Sequence, residues 1–372
     1  MTILKNALVC NRDFEFEKTD IVIENERIKE TGITDRDGID CSGKVILPGF
    51  IDIHIHGCAG RDCTDEKPDS LNVMSRYLAE KGVTSFCPTT MSYPAEKLER
   101  ALKVIKESMG KEKGAYIQGV NLEGPFLSKE KCGAQNPEYI ISPDYELTEK
   151  LAGICPVKIV NIAPEAQGAP EFIEKCSKKY LVSIAHTAAD YETVKKAEEA
   201  GARHATHLYN AMTQLTPRQP GAVGAVFDSD IITAELICDL IHVSSPALRT
   251  AFGILGEDRT VVISDAMMAA GLEEGEYELG GQKVIKTNAA RLANGTLAGS
   301  TTNLFEEFGN LLKIGIPVKQ VIKSLTINPA KCIDEDKNTG SIEPGKFADL
   351  IILSGDMSRI ENVCIKGRFF QK

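Results

Sequence analysis

The sequence predicts an α/β protein, a (β/α)8 TIM barrel carrying a small β-sandwich domain built from both chain ends. Three observations predict it. Eight apolar runs of strand length follow one another between residues 51 and 265, interleaved with helical patterns, as parallel β/α units require. Residues 1–48 and 341–372 read instead as strands and turns. The length, 372 residues at 42% hydrophobic content, suffices for one large core and a satellite. The expected division is therefore 1–48 and 341–372 for the β-sandwich domain and 49–340 for the barrel.

In chain order, extended runs at 3–9, 20–23 and 27–32 are broken by polar turns. Barrel strands are then expected at 51–56, 83–87, 116–123, 157–162, 181–186, 203–207, 232–238 and 260–265. Two helices show the quality of the signal. Asp190 caps a helix with Tyr191, Val194 and Ala197 at helical spacing, and Gly201 closes it. Another begins at Asn303, with Glu306 three residues on and Leu304, Phe308, Leu311 and Leu312 along one stripe. The runs at 347–353 and 361–366 return to β character, and the simplest arrangement pairs them with the opening strands.

Composition excludes several function classes. With 43 Lys and Arg against 53 Asp and Glu, the formal charge is -10, and no basic tract offers a nucleic-acid surface. Every apolar run is cut by Gly, Pro or a charge well short of the ~20 residues a bilayer needs, so no membrane partner is expected. The opening residues lack the charged start and apolar core of a secretion signal. Eleven cysteines without a C-x-x-C pair are scattered singly, as at Cys10, Cys87, Cys176 and Cys332, in the manner of reduced thiols. A cytoplasmic protein is expected.

Among only six histidines, His54 and His56 sit at the end of the first expected barrel strand, where a two-residue period aims both imidazoles at one face. Alone such a pair says little. Three further ligand types end three further strands, Glu123, His186 and His207, and Asp265 ends the eighth. Strand ends converge at one barrel mouth, so five candidate metal ligands and one acid are expected to share a rim. His204 lies three residues from His207, hence on the opposite face of an extended strand, and is expected to point outward to the helices.

This constellation, with Val-Ile-Leu-Pro-Gly-Phe-Ile-Asp-Ile-His-Ile-His-Gly at 45–57, resembles the metal-dependent amidohydrolases. Further blocks resemble the branch of that family that deacetylates N-acetyl amino-sugar phosphates. They are Leu-Glu-Gly-Pro-Phe at 122–126, Thr-His-Leu-Tyr-Asn-Ala-Met at 206–212 with Arg218-Gln219-Pro220-Gly221, Ser-Asp-Ala at 264–266, Asn-Gly-Thr-Leu-Ala-Gly-Ser at 294–300 and the tail at 340–350. The resemblance spans nearly the whole chain and implies hydrolysis of the acetamide of an N-acetylhexosamine 6-phosphate. It implies Glu123, His186 and His207 as ligands of one divalent metal and His54 and His56 as ligands that add a second, either being Zn, Fe, Mn or Co. A water activated between two cations would be the nucleophile, and Asp265 would take its proton and pass it to the departing amine.

The resemblance also puts the sugar phosphate on Arg218 and on backbone amides near Asn210 and Ala211, and a sugar hydroxyl on His242. In the family that arginine arrives from a neighbouring subunit, which implies a homodimer. Two departures stand out. Gln135, in Cys-Gly-Ala-Gln at 132–135, occupies the place where some relatives have a histidine that polarises the acetyl carbonyl; a second metal would take over that task. Leu240 stands where many relatives have glycine, which leaves the sugar epimer, gluco or galacto, open. A cyclic-amide hydrolase of the dihydroorotase kind would want a lysine at the end of the fourth strand, and Lys158 lies well before it. A metal-free scaffold should have lost ligands, and all five are present.

Overall fold

The computed structural model describes residues 1–67 and 69–371. Its larger part is an α/β fold of the TIM-barrel type. Parallel strands Phe50–Ile55, Val83–Pro88 and Tyr116–Ile117 form one run, and Val120–Leu122, Val157–Ile162, Leu181–Ile184, His204–Ala205, Thr233–Leu236 and Thr260–Val262 form another. The runs join through a parallel bridge between Thr89 and Asn121, where the third strand is interrupted at Gly119. The ring is completed by amide bonds from Asp265 to the His54 carbonyl and from His56 to the Ala266 carbonyl, both 2.9 Å. Asp52 ties the same seam from the side-chain level, accepting the Ser264 hydroxyl at 2.6 Å. Burial pushes this carboxyl up to about 7.

The strands are short because each is buried on both faces and stops where the chain must turn at the rim. Ile51, Ile159 and Val261, near the starts of their strands, meet Ala330 and Ile333 in one apolar cluster. Above it a polar belt crosses the interior. Asn161 donates to Asn121 at 2.6 Å, Asn121 donates to the Ile53 carbonyl at 3.0 Å, and Ser183 and Thr206 share a hydroxyl bond of 2.6 Å. These side chains, none of them singled out by the sequence reading, link strands one, three, four, five and six directly beneath the strand ends.

Both expected helices form. Tyr191–Ala200 is capped by Asp190, whose carboxylate accepts the Thr193 amide, and Gly201 supplies a positive φ at the exit. Leu304–Lys313 starts at Asn303, which accepts the Glu306 amide and buries Leu304, Phe308 and Leu311.

The two chain ends join as expected, through the antiparallel pair Lys44–Pro48 and Leu350–Ser354. One feature differs. All eight strands of this part lie on a single hydrogen-bonded sheet rather than two, since that pair splices the C-terminal strands onto the N-terminal set. Ile28 and Cys364, from opposite halves, share one core, so the sheet folds over on itself. A second unexpected sheet, Gly275–Leu279, Gln282–Lys286 and Ala290–Leu292, follows the eighth barrel strand. It leans over the barrel mouth, where Gln282 donates to the Ala134 carbonyl at 2.6 Å.

Candidate metal centre

The ligand-type residues do not lie within the strands but one to three residues past their ends. His54 alone is inside a strand; His56, Glu123, His186, His207 and Asp265 follow strands ending at Ile55, Leu122, Ile184, Ala205 and Val262. At three of these positions the backbone is left-handed, with φ of 42° at His186, 30° at His207 and 46° at Asp265. Tyr209, Ala211 and Leu240 share this conformation at the same rim. For residues with a side chain such values are costly, and they persist where surrounding structure dictates them, commonly at functional sites.

The turns bring all five candidate ligands together. His54, His56 and Glu123 form one group and Glu123, His186 and His207 another, each with its ligand atoms within 4.8 Å of one another. Glu123 is the shared member. Its Oε1 lies 2.9 Å from His207 Nε2 and 3.1 Å from His186 Nε2, and its Oε2 lies 3.3 Å from His56 Nε2. Asp265 Oδ1 stands 3.2 Å from His56 Nε2 and 3.5 Å from His54 Nε2. All six residues are buried.

For three of the four rings the far side decides which nitrogen faces the site, whereas His207 Nδ1 has no hydrogen-bond partner among the described residues. His56 Nδ1 is 3.0 Å from the Thr89 carbonyl, His186 Nδ1 is 2.9 Å from the Lys131 carbonyl, and His54 Nδ1 is 2.9 Å from Glu235 Oε2. Each of those partners is an acceptor, so Nδ1 carries a proton in all three and Nε2 is the nitrogen left facing the cluster. His54 Nε2 is buried there without a hydrogen-bond partner. Lone pairs aimed at a carboxylate repel unless a cation lies between them, which fits these residues to a divalent metal.

The electrostatics agree. Burial would push the imidazoles down, but Glu235 and Glu123 hold His54 well above the usual range, and Asp265 and Glu123 raise His56 to about 10. Burial would likewise raise the carboxyls, yet His54, with His186 and His207, holds Glu123 well below its usual range, and His56 with His54 lowers Asp265. Both shifts express one demand, positive charge at the centre of the cluster.

A cavity of about 300 Å³ opens onto the cluster and is lined by His56, Glu123, Gln135, His186, His207, Asn210, Ala211, His242 and Asp265, with Leu279 and Gly299 from the overhanging segment. His242 is oriented by Asp239, whose Oδ2 lies 2.7 Å from its Nδ1. Gln135 accepts the Ser92 amide at 2.6 Å and donates to Glu123 Oε2 at 2.8 Å, so it braces a ligand as well as facing the cavity. Arg218 is exposed and outside this lining.

One expectation is corrected. His204 does not face the helices. It is fully buried, with Nε2 3.1 Å from Glu235 Oε1. The strand ends at Ala205 and the chain turns at His207, so the two-residue alternation cannot be carried across. Glu235 was missed altogether, because a single acid inside an apolar run carries no motif. Its one trace in the sequence is its place inside the apolar run at 232–238, where an acid would be buried and need a partner. Lys158 is confirmed away from the site, with Nζ 2.9 Å from Glu335 Oε1 and from the Ile333 carbonyl.

A parallel barrel with candidate His and Glu ligands at its strand ends fits a class, the metal-dependent hydrolases built on this fold, and residues 45–370 match the amidohydrolase family. The chain belongs to that family. It is 35% identical to the N-acetylglucosamine-6-phosphate deacetylase of Lysinibacillus sphaericus over 94% of this chain and 93% of the relative. It is 33% identical to an N-acetylgalactosamine-6-phosphate deacetylase of Escherichia coli O157:H7, covering 90% of this chain and 89% of that one. A solved structure of a variant N-acetyl-D-glucosamine-6-phosphate deacetylase from Mycobacterium smegmatis, in complex with N-acetyl-D-glucosamine-6-phosphate, superposes with a TM-score of 0.93 at 26% identity, covering 100% of this chain and 99% of that one.

Proposed function

We propose that the protein hydrolyses the acetamide of N-acetyl-D-glucosamine 6-phosphate to D-glucosamine 6-phosphate and acetate. The observation that carries this reading is the convergence of His54, His56, Glu123, His186 and His207 beside Asp265 at the floor of one cavity. Glu123, His186 and His207 would hold one divalent metal and His54 and His56, sharing Glu123, a second. Bound there, the metals would supply a water of lowered pKa and a Lewis acid for the amide carbonyl.

The chain's own residues do the rest. Asp265, with Oδ1 turned to the ligand cluster, accepts the water proton and returns it to the leaving nitrogen. His242, held by Asp239, presents Nε2 to a sugar hydroxyl. Asn210 and Ala211 border the cavity where the phosphate would lie, and Gln135 keeps Glu123 in place. Arg218 grips the phosphate from the partner subunit of a homodimer, which accords with its exposure outside its own cavity. The chain divides functionally into a barrel at 49–340 and a supporting β domain from 1–48 and 341–372. Among the described residues all eleven cysteines are free, which suits the cytoplasm, and no helix is long and apolar enough to cross a membrane.

The galacto epimer is the second reading, favoured by the likeness to the Escherichia coli protein, while Leu240, a bulky residue held at a φ of 66° next to Asp239, leaves the epimer open. Acetate release across phosphorylated and unphosphorylated N-acetylglucosamine and N-acetylgalactosamine, with metal content determined on the same preparation, tests both. Turnover confined to unphosphorylated sugars, or equal in metal-free protein, would overturn the proposal.

A further inference from the structure

Glu235 occupies the interior of the seventh barrel strand, fully buried, with every side-chain contact directed at a histidine. Oε2 lies 2.9 Å from His54 Nδ1 and accepts the His207 backbone amide at 3.2 Å. Oε1 lies 3.1 Å from His204 Nε2. The Glu235 main-chain carbonyl accepts the Leu208 amide at 2.8 Å, so the residue grips the ligand turn of the sixth strand twice. Behind it His204 Nδ1 rests 2.6 Å from Thr233 Oγ1, whose hydroxyl reaches the Arg203 carbonyl. Two lone pairs at 3.1 Å would repel, so a proton lies between His204 and Glu235, and the carboxylate is left with one oxygen for His54.

We propose that Glu235 is a positioning residue for the metal centre. Its carboxylate fixes the Nδ1–H tautomer and the aim of His54, and through the His207 amide it ties that ligand to the one on strand six, with His204 as the anchor that holds the carboxylate upright. This rests on the reading of His54 and His207 as metal ligands. The geometry is specific: one buried acid contacts a member of each three-residue group, so it couples the two metal positions without touching either.

The test is Zn²⁺ affinity of the metal-free protein, by competition with a chromophoric chelator, for wild type, Glu235→Gln, His204→Gln and His54→Gln. Circular dichroism and the melting temperature of the metal-free forms serve as fold controls. An amide cannot accept from both His54 and His204, so Glu235→Gln should weaken the tighter-coupled site roughly 10- to 100-fold, the usual range for losing such a partner. His204→Gln should weaken it less, and the visible spectrum of the Co²⁺-loaded Glu235→Gln protein should change. Affinity within about twofold of wild type and an unchanged Co²⁺ spectrum in folded Glu235→Gln would overturn the proposal. If instead His54→Gln leaves Zn²⁺ affinity unchanged, His54 is no ligand and the reading beneath the proposal fails, a distinguishable result. Should Glu235→Gln not fold, Glu235→Asp, which keeps the charge but withdraws it by one methylene, decides by the same criteria.

Discussion

At the scale of one side chain, Asp265 combines two features that fit the proposed base, a strained backbone and a carboxylate whose side-chain partners, among the described residues, are the candidate ligand histidines. Its φ of 46° is a conformation that asparagine also tolerates, so Asp265→Asn preserves both shape and backbone. What it removes is the capacity to accept a proton. The expected outcome is a fall in kcat of about 10²–10⁴, the range for general acid–base assistance, with metal content unchanged by elemental analysis. Near-normal turnover would assign the base to another group. At this scale the sequence was informative wherever a residue type is chemically unusual in an apolar strand end, as His54, Glu123 and Asp265 are. It was blind to Glu235 and to Gln135's grip on Glu123, because partnership is a property of pairs far apart in the chain.

Elements divide by whether their ends are set locally. Helix starts are local, since a side chain meets an amide two or three residues ahead, and the caps at Asp190 and Asn303 form where the residues place them. Asn303→Ala should lower the unfolding free energy by about 0.5–2 kcal/mol in urea titrations, and Asn303→Asp, which restores the acceptor, should recover most of it. Equal stability of the alanine and asparagine forms would show that packing of Leu304 and Phe308 alone fixes the helix start. Strand ends are not local. The run at 203–207 reads as five residues of strand, yet pairing with Ser183–Ile184 and Thr233–Ala234 extends only over His204 and Ala205. Where the neighbour stops, the ladder stops, and the freed chain turns His207 into the centre while leaving His204 beneath it.

Across the whole molecule, the site is expected to be completed by a second copy. If Arg218 binds the phosphate by forked, charge-assisted bonds, Arg218→Ala should lose on the order of 2–3 kcal/mol of transition-state binding, roughly 30- to 150-fold in kcat/KM. The loss should vanish for the unphosphorylated sugar; additive effects of removing the arginine and removing the phosphate would mean the two do not interact. Mixing Arg218→Ala with Asp265→Asn protein then reports where the arginine acts. An arginine supplied across a two-fold interface restores one intact site per mixed dimer, about a quarter of wild-type activity after full exchange. No recovery, in mixtures shown to contain mixed dimers, would place Arg218 in its own subunit's site.

By itself the sequence determined the class of fold, the splice of the two chain ends, and which six residues converge, because periodicity, capping and rare residue types are written along the chain. Only the tertiary structure decided how many residues each strand keeps, that the terminal strands lie on one sheet, and which nitrogen each histidine turns inward. It also decided that a three-stranded sheet overhangs the cavity and that His204 and Glu235 stand under His54. The reason is physical. Hydrogen-bond ladders end where the partner strand ends, and a buried charge is placed by whatever neutralises it, in neither case by the residues next to it in sequence.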